Sequence, residues 1–166
     1  MLALAHDIVH NYVAQAAFFS WFLAQVIKFF IVMITQKTLK FERLVGSGGF
    51  PSSHTSFMLG TTTALLLKNG PQSDIFVLSL VVSCVVMYDA SHVRLEAGKQ
   101  AAIINDIVDF IKSHKVPIPL ENDKALKELL GHTPFEVWGG FFLGIIVACV
   151  QYFFIYNGAV WVQKNV

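Results

Sequence analysis

His132 and Glu136 stand four residues apart in Gly131-His132-Thr133-Pro134-Phe135-Glu136, so a short helical start would bring an imidazole and a carboxylate together. A second imidazole, His54, follows two serines in Gly48-Gly49-Phe50-Pro51-Ser52-Ser53-His54-Thr55-Ser56. Pro51 suits the first position of a helix, where its missing N–H costs nothing. That predicts Ser52, Ser53 and His54 in a first helical turn, whose free N–H groups and dipole favour an anion such as phosphate. A third group, Asp89 with Arg94, follows an apolar run. Two imidazoles, a carboxylate and a cation suit phosphoryl transfer. One imidazole attacks phosphorus, the other protonates the leaving alkoxide, and cations with helix starts hold the oxygens.

The elements that must position these groups are apolar. The 166 residues are 55% hydrophobic and 14% charged, with 15 Phe, a composition that points to a membrane protein. A net charge of +1 and the lack of a basic run give no sign of nucleic-acid binding. Cys84 and Cys149 both lie in apolar runs and read as small core residues rather than a disulfide or metal pair. The first residues, interrupted by His6, Asp7 and His10, do not read as a signal peptide.

Four spans are expected, over about 12–35, 51–67, 75–90 and 134–156. They make one all-α membrane domain over residues 1–166. The first span carries Gln25 and Lys28, and a lysine within a span is a functional candidate. Alternatives are snorkelling to the interface or an ion pair with Asp89. The second span is rich in Ser and Thr and suits a protein-facing position. Between the last two spans, Ile103, Ile104, Ile107, Val108 and Ile111 predict an amphipathic helix within an insertion over about 95–131. Pro117 and Pro119 should break it, and a second short helix is expected over 123–130. Thr133 and Glu136 form a capping-box pattern at the start of the last span.

Nine Lys and Arg fall in the first and third links, against Lys68 and Lys164 on the other side. The positive-inside tendency then sets the two links, and with them His54, Arg94 and His132, at the cytoplasmic face.

At this point the sequence resembles a known family. Pro51-Ser52-Ser53-His54 is similar to the Pro-Ser-Gly-His motif of type-2 phosphatidic acid phosphatases, relatives of the vanadium haloperoxidases. His132 to Glu136 is similar to their His-x-x-x-Asp element. The nearer resemblance is to the divergent bacterial and plant branch. Its pattern is matched by Ala24-Gln25-Val26-Ile27-Lys28, Gly48 to His54, Asp89 to Gln100, and Gly131 to Val137.

The resemblance implies a membrane lipid-phosphate phosphatase working without a cofactor, in a plasma or organellar membrane. Phosphatidic acid, phosphatidylglycerophosphate or a prenyl phosphate would be its lipid partner. It implies His132 as nucleophile, Glu136 as its support and His54 as acid then base. Ser52, Ser53, Arg94 and Lys28 would hold phosphate, with Lys99 and Arg43 as further basic candidates and Asp89 and Gln25 orienting the site. The departures are Ser53 for Gly, Glu136 for Asp, and 37 residues between Arg94 and His132 where the main family has a few. A non-catalytic lipid-phosphate binder of the same descent is the alternative. Glu136 as a mere cap, or Arg94 and Lys99 as headgroup contacts, are the simpler readings of those residues.

Overall fold

The structure, a computed structural model, describes residues 2–36, 49–114, 125–126, 128 and 131–156. The regular elements among them are all helices. The helices are α1 (Leu2–Val9), α2 (Tyr12–Gln36), α3 (Ser53–Asn69), α4 (Asp74–Tyr88), α5 (Arg94–Ser113) and α6 (Pro134–Gln151). Wide i→i+5 turns extend α4 over Asp89–Val93 and α6 over Tyr152–Tyr156.

The segments Tyr12–Thr35, Asp74–Ser113 and Pro134–Tyr156 are long and apolar enough to cross a membrane. The second expected span, over about 51–67, corresponds to α3, which is 17 residues long and more polar. It sits at the centre, packed against α2, α4 and α6.

The bundle is inverted relative to a water-soluble one. Buried positions on α2 are Tyr12, Ala16, Ala17, Ser20, Ala24, Gln25 and Lys28, a stripe at helical spacing made mostly of small and polar residues. On α6 they are Val137, Gly140, Gly144, Ala148 and Gln151. The large side chains point out: Phe18, Phe22 and Phe30 on α2, Leu78, Val81 and Val85 on α4, Trp138, Phe142 and Ile146 on α6. Apolar surface outside and small residues inside are what lipid, rather than water, selects.

Hydroxyl groups join the helices. Ser56 Oγ donates to Ser20 O at 2.9 Å, and Thr62 Oγ1 lies 2.6 Å from Ser79 Oγ and 2.8 Å from Ser83 Oγ. At the far end Tyr12 donates to Ala148 O at 2.8 Å and stacks on Tyr156.

Several sequence expectations are corrected. Helix α3 begins at Ser53, with Ser52 as its N-cap and Pro51 outside the helix. A side-chain oxygen at Ser52 captures the Thr55 N–H, so capping by serine, not proline, sets the helix start. The helix of the third expected span continues past residue 90: α4, the wide turn and α5 form one continuous rod over Asp74–Ser113. Ala125, Leu126 and Glu128 are not helical, contrary to the short helix expected over 123–130, whose other residues lie outside the described ones. Asn105 holds this stretch instead, its amide bonding both the N–H and the C=O of Leu126. Pro117 and Pro119 also lie outside the described residues. Cys84 is exposed and Cys149 half-buried, so neither is fully in the core; both thiols are free.

The α3–α6 contact admits no side chain. A Cβ on Gly140 would strike Ser52 O, and one on Gly144 would meet Ser56 O and Gly60 N. Gly144→Val should therefore destabilise the protein by about 1–3 kcal/mol through overpacking. Phe142→Leu, at an exposed position, should stay within about 0.5 kcal/mol. Thermal or denaturant unfolding of the purified proteins in one detergent checks both.

Candidate functional site

Three chain segments meet at one end of the bundle, and backbone hydrogen bonds tie them. Ser52 N–H donates to Glu136 O at 2.8 Å, joining the start of α3 to that of α6. His132 N–H donates to Ala90 O at 2.9 Å, joining the wide turn to the approach to α6. Phe50 stacks on Phe135, with ring centroids 5.0 Å apart, across the same junction.

Gly131 lets the chain reach this position. Its φ of +80° is the left-handed region. A Cβ there would run into the Leu95 backbone N and, at 2.7 Å, Arg94 C. The residue before the histidine is thus pressed directly against the start of α5.

His132 is 3% exposed. Its Nδ1 lies 3.0 Å from Glu136 Oε2. Because a carboxylate only accepts, Nδ1 carries the proton and Nε2 keeps its lone pair. Nε2 is buried and has no hydrogen-bond partner among the described residues. Glu136 Oε2 also accepts from Thr133 N–H at 3.1 Å, and Thr133 Oγ1 accepts from Glu136 N–H at 3.4 Å. The capping box and the histidine contact are therefore one arrangement, so Glu136 is both cap and imidazole partner.

His54, Asp89, Arg94 and His132 line one cavity of about 310 Å³, together with Val85, Val86, Ala90 and Gly131. That volume admits a phosphate group and the first part of a substituent. His54 stands in the first turn of α3, exposed on the cavity side, with no side-chain hydrogen bond among the described residues. Arg94 Nε donates to Asp89 Oδ2 in a short ion pair at the cavity wall.

Lys28 lies behind this wall. It is 4% exposed and donates to Ser53 Oγ at 3.3 Å, and its charge acts on His54, His132 and Glu136. It neither snorkels nor pairs with Asp89, whose partner is Arg94. Gln25 lies one turn earlier on the same buried stripe. Ser52 is fully buried and accepts from Thr55 N–H and Thr55 Oγ1. It shapes the helix start, and neither it nor Ser53 lines the cavity. Lys99 is exposed and donates to Glu96 at 2.7 Å, away from the cavity lining. Arg43 lies outside the described residues.

The sequence reading missed Val85, Val86 and Ala90 as cavity walls. Ala90 supplies the carbonyl that positions His132, a backbone role with no side-chain signal in the sequence.

Burial pushes the His132 imidazole below its usual range, and the Lys28 charge adds to this. The Glu136 hydrogen bond and charge oppose the shift without reversing it.

The family described as the Divergent PAP2 family matches residues 9–147. The uncharacterized membrane protein YuiD of Bacillus subtilis is 35% identical over 157 residues, covering 90% of this chain and 99% of that protein. No solved structure matches.

His132 should remain neutral at a pH where a free imidazole, with its value near about 6.5, is half protonated. Glu136→Gln should lower its titration further, since the group that favours the charged form is gone. Nitrogen NMR of histidine-labelled protein, with His132→Ala to assign the signal, measures both.

Proposed function

This chain belongs to the Divergent PAP2 family, and on that premise we propose that it is an integral membrane phosphatase of lipid phosphomonoesters, working at the cytoplasmic face. One observation carries the reading: His132 keeps a buried Nε2, without a partner among the described residues, beside a cavity that His54 and Arg94 also line.

The chemistry follows from the proton positions. His132 Nε2 attacks phosphorus as the ester P–O bond breaks. The imidazole becomes cationic, and Glu136 at Nδ1 stabilises that charge. The departing lipid alkoxide takes its proton from the His54 imidazolium. Water then enters, gives a proton back to His54 and attacks phosphorus. The P–N bond breaks, inorganic phosphate leaves, and both histidines return to their first state. Arg94 stands where it can meet a phosphate oxygen, and buried Lys28 adds positive potential from behind. The wide apolar surface of α2, α4 and α6 keeps the protein in the lipid phase with its substrate. The nine basic residues of the two links support the cytoplasmic orientation.

A second reading, binding of a lipid phosphate without turnover, is favoured by one feature: Arg94 is already neutralised by Asp89.

Purified protein should release phosphate from phosphatidic acid, phosphatidylglycerophosphate or a prenyl phosphate in mixed micelles. His132→Ala should lose about 10³-fold or more, and His54→Ala about 10²–10⁴-fold. Equal release by all three proteins removes the hydrolase. Lipid-phosphate binding without release in the wild type, surviving His132→Ala, moves the assignment to the binder.

A further inference from the structure

Asp89 has no part in the chemistry set out above, yet it lines the same cavity as both histidines and holds Arg94 by its side chain. Its surroundings allow a charge inventory. From α2 comes Lys28, positive. From α3 comes His54. From the turn after α4 comes Asp89, and immediately after that turn comes Arg94 at the head of α5. From the start of α6 come His132 and Glu136. His92, on the same turn as Asp89, bonds Ser91 and stacks on Tyr88. With both imidazoles neutral, two cations and two carboxylates cancel among the described residues. With His54 protonated, as its role as proton donor requires, the site carries a single positive charge.

That balance matches a singly charged phosphate and not a doubly charged one. An oxyanion at Arg94 must also share the guanidinium with the Asp89 carboxylate, whose repulsion grows with each charge the ligand brings. We propose that Asp89 is a specificity-determining residue that restricts the cavity to singly charged phosphates, either phosphodiesters or phosphomonoesters carrying one proton. The proposal rests on the reading of this cavity as a phosphate site. It assigns Asp89 a selective role: Asp89 makes Arg94 a weak attractor for dianions while leaving it a hydrogen-bond donor to monoanions.

Two small probes separate the two sources of the monoanion. Dimethyl phosphate is singly charged throughout, whereas methyl phosphate gains its second charge near pH about 6. Binding of each to detergent-purified protein is measured by calorimetry at about pH 5 and about pH 8, on either side of that ionisation. Wild type should bind the two alike at the lower pH and favour dimethyl phosphate at the higher one, by about tenfold. Asp89→Asn should abolish or reverse that preference at the higher pH, because loss of the carboxylate strengthens both probes and methyl phosphate, with two charges, by the larger factor.

An unchanged ratio of the two probes in Asp89→Asn overturns the role of Asp89 while leaving the phosphate site standing. A wild type that binds methyl phosphate equally well at both pH values relative to dimethyl phosphate overturns it too, and needs no variant that folds. If neither probe binds either protein, the phosphate site falls, and this proposal with it.

Discussion

Helices α3 and α6 touch backbone to backbone, and the site exists because they do. Gly140 and Gly144 leave no volume between α6 and the carbonyls of Ser52 and Ser56. In hydrocarbon there is no hydrophobic force to drive helices together, so van der Waals contact at small residues and hydrogen bonds must do it. The approach is close enough for Ser52 N–H to reach Glu136 O. It thereby fixes the first turn of α3, with His54, against the first turn of α6, with Glu136 and the adjoining His132. Two histidines separated by 77 intervening residues become neighbours on one cavity wall through the packing of two glycines.

Glu136 concentrates three duties in one carboxylate. It completes the helix cap through Thr133, fixes the tautomer of His132, and supplies a negative charge beside buried Lys28. A buried ammonium in a membrane protein is costly without such company. The cap also explains why the histidine is rigid: the loop that carries it is held at Gly131 by α5, at His132 N–H by Ala90, and at its side chain by Glu136. Preorganisation of this sort is what the nucleophilic role proposed for His132 requires, since the cost of orienting it is met during folding.

Much of this was legible in the residues. Spans rich in Phe, Ile and Val, the polar second helix, and the capping box at Thr133 and Glu136 each follow from local pattern, and the helices are where those patterns lie. The grouping of His54, Arg94 and His132 followed from membrane topology, because spans of fixed length return the chain to the same face. Three things were beyond that reading. A serine cap and a proline start give nearly the same local pattern, so the boundary of α3 moved by two residues. The partner of Lys28 depends on helix rotation, and the rotation placed Ser53 rather than Asp89 before it. The polar stretch after Asp89 looked like an end to the helix, yet the helical run continues through it to Ser113.

The turn at Asp89–Val93 shows what a single additional residue does to direction. In an ordinary α-helix, positions five apart lie about 140° away from each other around the axis. Here the Arg94 N–H reaches back to Asp89 O across a wider loop. That loop brings residue 94 back to within about 40° of residue 89 around the axis, near enough for the guanidinium to pair with the carboxylate. Everything beyond it on α5 is turned by about one residue's worth, about 100°, relative to where a plain helix would have put it. The rod is thus two differently phased helices spliced end to end, and the splice is the cavity wall.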